Sequence, residues 1–293
     1  MAKVAVAVVK KTKPGLIQSL QNDPVWSPPL EQAVAEVRDM RGDFSDYVNR
    51  ILRKRQRHGV IKGAPGTGKS YTIAALLNAR GLREGTTEDR GRYDYTIIKG
   101  SLTSAKLHVQ LYHHRQAGKI LILDDCDSVE KDPDCLAAIN SATDTTNPTV
   151  TRDRMNNIVD DGVVIPNQFE FKGSIIIVSN MFGANARTGG IRATRFNSIS
   201  SRIRVLEVGT GDRQSLMANI LDLAEHENLF PDASDAEIVE VFAWTLKRLG
   251  QFKQVSIRHM MELVDLRTDP ELKDWTRLAR RVMLKTADEL EMA

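Results

Sequence analysis

The chain has 293 residues, 41% hydrophobic and 27% charged, with a formal net charge of +3; this excludes a disordered chain and predicts about two globular domains whose cores need no disulfide staples. Two cysteines, Cys126 and Cys135, exclude a disulfide framework and suit a reducing, cytoplasmic compartment. No stretch approaches the ~20 apolar residues of a membrane span, and an aromatic content of 5% disfavours a broad base-stacking platform.

Residues 1–29 read as an irregular N-terminal extension, basic at first and then interrupted by Pro24, Pro28 and Pro29. Its apolar run Val4–Val9 is followed by Lys10, Lys11 and Lys13 and lacks a signal-peptide cleavage pattern. From residue 30 to 57 apolar residues recur at helical spacing (Leu30, Val34, Val37, then Phe44, Tyr47, Val48, Ile51), which predicts a helix broken near Gly42. Its end is crowded with Arg50, Arg53, Lys54, Arg55 and Arg57, either a solvated face or a contact to a phosphate backbone.

Short apolar runs then alternate with helical patterns. Val60–Ile61, Tyr95–Ile98, Ile120–Leu123, Ile175–Val178 and Val205–Val208 read as strands; 71–80, 103–117 and 133–143 read as helices. Buried strands alternating with helices predict a parallel sheet in an α/β sandwich. Between 145 and 173 a stretch carrying Arg152, Arg154 and Val163-Val164-Ile165 around a polar Asn156-Asn157 tip predicts a β-hairpin insert. After Gly209-Thr210-Gly211 the strands stop, and 213–226, 235–249, 256–267 and 271–291 read as helices, with Ser234 and Glu237 spaced as a capping box. The expected domains are therefore the extension 1–29, an α/β domain 30–209 and an α-helical domain 210–293.

Residues 63–70 read Gly63-Ala64-Pro65-Gly66-Thr67-Gly68-Lys69-Ser70, a complete G-x-x-x-x-G-K-[ST] phosphate loop between a strand and a helix that opens at Tyr71. The glycines let backbone N–H groups converge on phosphate oxygens, and the helix N-terminus adds the positive end of its dipole. Lys69 is placed to reach the β- and γ-phosphates of ATP and Ser70 to ligate Mg2+. Tyr71 counts with the nucleotide contacts. Downstream, Ile120-Leu121-Ile122-Leu123 runs into Asp124-Asp125. In phosphate-loop enzymes the first such acid holds Mg2+ and the second polarises the attacking water; these roles fall to Asp124 and Asp125. An aspartate in the second place is one methylene shorter than the usual glutamate. Asn180, ending the strand Ile175–Val178, is placed to hydrogen-bond the γ-phosphate or the lytic water.

At this point the chain resembles the AAA+ ATPases over roughly residues 25–290. The resemblance rests on GAPGTGKS (63–70), ILILDD (120–125), Val178-Ser179-Asn180, the segment Ser201-Arg202-Ile203-Arg204-Val205-Leu206-Glu207-Val208 and the helical tail. It implies a three-layer αβα domain with a five-stranded parallel sheet, followed by a small α-helical lid. Asn180 resembles the sensor-1 residue. Arg202 resembles the arginine finger that acts on a neighbouring subunit's ATP, with Arg204 and Arg195 as rivals. Arg258 resembles the sensor-2 arginine. The resemblance further implies a homo-oligomeric ring, a hexamer, with adenine held near Val25, Trp26 and the Tyr47–Ile51 stretch. The run Asp124-Asp125-Cys126-Asp127-Ser128-Val129 and the segment from Ile165-Pro166 to Asn180 also look like small AAA-type ATPases of tailed bacteriophages.

The object of such a ring is less legible. Protein-threading members carry an aromatic pore loop after the second strand; this chain has Lys99-Gly100-Ser101-Leu102-Thr103-Ser104 there. Lys99, Thr103, Ser104 and Lys106 suit a phosphate backbone or an ordinary loop equally. With Arg152 and Arg154 on the hairpin, the expectation is DNA remodelling or translocation; the alternatives are a protein client for a chaperone- or MoxR-type remodeller, and a non-motor switch that assembles with ATP. His113-His114 lacks a surrounding set of ligands at metal spacing.

Overall fold

In the computed structural model, which describes residues 15–85, 92–153, 156–180, 182, 190–209, 211–227 and 229–286 (for 127, 190–193, 195 and 196 the backbone alone), the elements run as follows. The first are α1 (Leu16–Gln21), α2 (Pro28–Leu52), β1 (His58–Lys62), α3 (Lys69–Ala79), β2 (Tyr95–Lys99), α4 (Ser104–His113) and β3 (Ile120–Asp124). Next come α5 (Asp127–Lys131), α6 (Pro133–Ala142), β4 (Thr149–Thr151), β5 (Ile158–Asp160), β6 (Val163–Ile165), β7 (Gln168–Glu170) and β8 (Ser174–Ser179). The last are α7 (Gly190–Arg202), β9 (Arg204–Glu207), α8 (Arg213–His226), α9 (Asp235–Leu246), α10 (Ile257–Thr268) and α11 (Trp275–Met283). They group into two units. One is Gly42–Ala64 with Lys69–Val208; the other holds the described residues of Met1–Arg41, Pro65–Gly68 and Gly209–Ala293.

The first unit is built on one five-stranded sheet, ordered β2-β3-β8-β1-β9, in which every pairing is parallel. Both faces are covered, so its central strands are continuous apolar runs rather than alternating ones. Val60, Leu121, Leu123, Ile175 and Ile177 share a core with Leu107 and Leu111 of α4, Cys135 and Ile139 of α6, and Ile199 of α7. The intervening residues Ile61, Ile120, Ile122, Ile176 and Val178 are equally buried on the other face. Gly59 lies on that side: a Cβ there would sit 2.7 Å from Ile51 Cδ1, so the last turns of α2 rest directly on β1. Each such buried Ile or Leu contributes roughly 1.5–3 kcal/mol relative to exposure.

Three expectations need correction here. The extension 1–29 is not irregular throughout: Leu16–Gln21 is helical and buries Leu16, Ile17 and Leu20 in a core. Helix α2 does not break at Gly42 but runs unbroken from Pro28 to Leu52. A glycine costs a helix about 1 kcal/mol, less than the burial of Val37, Phe44, Val48 and Ile51 on either side returns. The insert is a hairpin, but its tip is not Asn156-Asn157. β4 pairs with β7 and, further out, β5 pairs with β6, both antiparallel, around Asp161-Gly162. Both tip residues have positive φ (46° and 75°), the conformation a two-residue turn demands and that Asp-Gly supplies.

In the second unit α1, the first half of α2 and α8 to α11 close over a separate core that includes Leu20, Leu30, Val34, Leu221, Phe242, Trp244, Leu263 and Trp275. Helix α9 opens with the capping box: the Ser234 hydroxyl accepts the Glu237 N–H, while the Glu237 carboxylate accepts the Ser234 N–H. The last helix ends at Met283, short of the expected 271–291; residues 287–293 lie outside the described residues. Among the described residues no helix is long and apolar enough to cross a membrane.

Candidate active site

Three neighbouring strands, β3, β8 and β1, deliver their carboxyl ends to one place. Open parallel sheets build ligand sites outside these ends. β1 runs out at Gly63, whose N–H donates to Ser179 O at 3.2 Å. A Cβ on residue 63 would lie 2.0 Å from the Val208 carbonyl oxygen, so only glycine lets the chain leave the sheet there. Gly66 and Gly68 follow with φ of 83° and 76°, in the left-handed region where L side chains are strained. Helix α3 then starts at Lys69, leaving its first N–H groups without helical partners.

Lys69 is only 7% exposed. Its ammonium donates to Gly63 O (2.7 Å), Ala64 O (2.9 Å) and Asn180 Oδ1 (2.8 Å). Burial pulls its pKa below the ordinary lysine value, and the charges of Asp125 and Asp124 oppose that pull. The Ser70 hydroxyl donates to Asp124 Oδ1 at 2.7 Å. Asp124 is buried, and its other oxygen, Oδ2, faces Lys99 Nζ at 3.5 Å. Asp125 turns the chain out of β3 with φ of 51°, a conformation aspartate tolerates better than most residues. Its N–H donates to Val178 O, and its Oδ1 accepts from Asn180 Nδ2 at 3.0 Å. Asn180 therefore bridges Lys69 and Asp125, one through each end of its amide.

The structure thus brings together Gly63, Ala64, Lys69, Ser70, Asp124, Asp125 and Asn180. A hydroxyl beside a carboxylate is an all-oxygen donor set. It fits a hard cation such as Mg2+, which keeps most of its shell for water and phosphate oxygens. No group of three or more His, Cys, Asp or Glu at metal-holding distance occurs among the described residues. A buried ammonium at a helix N-terminus beside glycines of positive φ suits a polyphosphate.

Pro65, Gly66, Thr67 and Gly68 group with the helical unit, where a Cβ on Gly68 would meet Leu223 Cδ1 at 3.2 Å. Tyr71 is exposed on the first turn of α3. Arg258, the second residue of α10, is exposed, and its side chain makes no hydrogen bond or ion pair among the described residues. Arg202 is not at the Lys69 cluster. Its guanidinium donates to Asn140 O (2.9 Å) and Asn140 Oδ1 (2.8 Å) and pairs with Asp144 at 3.1 Å. Arg204 is exposed on the edge strand β9, and the Arg195 side chain and Arg154 lie outside the described residues.

Of the expected adenine contacts, Tyr47 is a structural brace: its hydroxyl donates to Arg204 O and accepts the Val60 N–H, joining β9 to β1. Val48 and Ile51 are core. Val25 and Trp26 lie in the helical unit. Thr103 caps α4 by accepting the Lys106 N–H. Cys126 and Cys135 are buried, and burial with nearby carboxylates pushes the Cys135 thiol up to about 12. His113 bonds Asp160 of the insert at 2.9 Å, while His114 is buried. Lys99 was missed as a partner of the acid pair. The signal is register: Lys99 ends β2 level with Asp124 on β3.

No family model matches the chain. Over 248 residues it is 26% identical to the "uncharacterized 36.7 kDa protein in nrdC-mobD intergenic region" of Enterobacteria phage T4, covering 79% of this chain and 73% of that protein. Among solved structures it is similar to one titled "crystal structure of DNA replication initiation factor", with a TM-score of 0.43 and 14% identity over 80% of this chain; it spans 63% of that chain's length.

Proposed function

We propose that the chain binds ATP with Mg2+ and hydrolyses it, as a ring-forming AAA+-type ATPase that acts on DNA. The observation that carries the reading is the joined cluster of Lys69, Ser70, Asp124, Asp125 and Asn180, held by side-chain bonds of 2.7–3.0 Å. Lys69 and the N-terminus of α3 hold the phosphates. Ser70 and Asp124 hold the cation. Bound Mg2+ neutralises charge on the phosphate oxygens. Asp125 accepts a hydrogen bond from the attacking water, and Asn180 fixes the carboxylate by its amide N–H while its carbonyl tethers Lys69. Arg202, presented at the end of α7, serves the site of a neighbouring copy, which makes the ring, a hexamer by resemblance, the active form. Such an arginine in trans is worth on the order of 10³–10⁵ in rate.

DNA as the object is supported by the absence of an aromatic in Lys99–Ser104 and by the cations Lys99 and Arg152. A protein client is the second reading, favoured by Val159, Val163 and Val164, which stand 64%, 44% and 55% exposed on the hairpin. The test is steady-state ATP turnover with single-stranded DNA, duplex DNA or unfolded protein, and with Lys69→Ala as the blank. Turnover that Lys69→Ala abolishes and DNA stimulates, with the stimulation fading as salt rises, is the expected result. Wild-type turnover equal to that of Lys69→Ala refutes the ATPase. Stimulation by unfolded protein alone replaces DNA by a protein client.

A further inference from the structure

The amino ends of β1, β3 and β8 form a second recess of about 390 Å3, at the end of the sheet away from the phosphate loop. Strands of five or six residues rise about 3.3 Å per residue, so the two places are separated by about 15–20 Å of sheet. The recess has an apolar floor that includes Ile51, Leu82 and Ile120. Among the described residues four cations line it, Lys54, Arg57, Arg80 and Lys172, and no carboxylate does. Glu170, just outside, offsets one of these charges by pairing with Lys172 at 2.7 Å. Lys54 sits in the left-handed region (φ 58°), is exposed and has no side-chain partner among the described residues. Arg80 spends one N–H on the neutral amide of Asn49. Arg57 donates to Phe171 O.

Helices α2, α3 and α4 all end towards the amino side of the sheet, and cations there ease the negative ends of helix dipoles. That need is met by one cation per helix end. It does not call for a walled recess, nor for the further exposed cations Arg53 and Arg55 on either side of Lys54 in the chain. A single small anion does not use charge beyond the recess; a polyanion does. We propose that this recess grips the phosphodiester backbone of a nucleic-acid strand, at a site separate from the one that holds ATP. The inference rests on the reading that DNA is the object of the ATPase and states where the chain holds it. With no aromatic among the described residues of the lining, the grip is electrostatic, tolerant of sequence and strongly dependent on salt.

The experiment is fluorescence anisotropy of labelled single-stranded and duplex oligonucleotides, from 50 to 200 mM salt. It compares the wild type with the triple variant Lys54→Gln, Arg80→Gln, Lys172→Gln. A control triple, Lys247→Gln, Lys253→Gln, Lys273→Gln, removes the same charge from exposed positions of the helical unit. At 0.1 M salt, loss of three phosphate contacts lowers affinity on the order of 10²-fold and reduces the log–log salt slope by about 2 to 3. The single variant Lys54→Gln, which alters one exposed side chain, loses about 5- to 8-fold by the same rule. ATP turnover without DNA stays at the wild-type level, and the control triple binds as the wild type does. Whichever oligonucleotide shows the larger loss identifies the strand form held. If wild-type protein binds DNA and the recess variants bind it equally well, the recess is overturned and the DNA reading stands. A lowered melting temperature with unchanged affinity assigns these cations to the helix ends and also overturns the recess. Equal losses in both triples mean diffuse charge and do the same. Wild-type protein that binds no nucleic acid overturns both readings.

Discussion

Lowering the pH from 7.5 to 5.5 should weaken the α/β unit by about 3 kcal/mol through the buried His58 and His114, and the buried His108, whose pKa burial also lowers, adds in the same direction. His58 opens β1, 7% exposed, with Nδ1 accepting the Ile175 N–H at 3.3 Å and Nε2 buried without a partner among the described residues. Burial, helped by the charge of Arg57, lowers its pKa to about 3. His114 is fully buried; Nδ1–H donates to Gln110 O at 2.7 Å, and Nε2 has no partner among the described residues. Burial lowers its pKa to about 4, with the charges of His113 and Lys119 adding to the fall and the Gln110 bond opposing it. Protonating His58 would aim an N–H at an N–H; protonating His114 would place a second donor where nothing accepts. Both folded-state values lie below the unfolded value of about 6.5. The unfolded chain therefore takes up protons first as pH falls, and stability present above about 6.5 is lost below it. At pH 5.5 each group has given up about one pK unit, between 1 and 2 kcal/mol.

The assay exploits an accident of composition: the three tryptophans, 26, 244 and 275, all belong to the helical unit. Urea unfolding followed by tryptophan fluorescence reports that unit, while far-ultraviolet circular dichroism also sees the sheet. With m of about 1.5–2 kcal/mol/M for a unit of this size, the sheet transition should move down by about 1.5–2 M urea between the two pH values. His58→Gln should take about 0.7–0.9 M off that shift, whatever it does to stability at pH 7.5. A sheet transition that stays put, or a shift undiminished by His58→Gln, refutes the assignment.

Gly63→Ala would press a methyl group into the Val208 carbonyl at 2.0 Å, and since backbone cannot step aside as a rotamer does, a loss above 3 kcal/mol is expected; an unchanged melting temperature refutes the close fit. Ser70→Ala leaves Asp124 Oδ1 without its 2.7 Å donor, and titration with a fluorescent nucleotide should show about a tenfold loss of affinity with Mg2+ (about 1.4 kcal/mol) and little change in EDTA; equal losses in both media would place Ser70 outside the cation site. Asn180→Ala unlinks Lys69 from Asp125, and ATP turnover should fall more than tenfold while nucleotide affinity stays within about threefold; a parallel fall in affinity would make Asn180 a binding residue only.

The sheet was readable because its strands are buried on both faces. Ile120–Leu123 and Ile175–Val178 are unbroken apolar runs, the pattern a parallel sheet covered by helices on both faces asks for. The phosphate loop and the acid pair were readable because each is a local pattern at a strand's end. What depends on register or on distant partners was not. Lys99 meets Asp124 only because two strands align, and Arg202 is held by Asn140 from 62 positions away. The insert misled for a different reason: Asn156-Asn157 and Asp161-Gly162 are both turn-forming, but only the second carries glycine where φ must be positive. At Gly42, packing on both sides overrode a local preference of about 1 kcal/mol.

The parallel sheet has a consequence for how the molecule is made. His58 pairs with Ile175 and Gly59 with Arg204, so β1, the strand that feeds the phosphate loop, acquires both its neighbours more than a hundred residues after it is synthesised. Such long-range pairing folds slowly, and during that interval an apolar strand has two bare edges. A nascent or truncated chain that stops before Val208 carries the loop but not the sheet that shapes it. Fragments ending upstream of that residue should be caught by chaperones or aggregate, whereas a chain ending just beyond it holds every strand of the sheet.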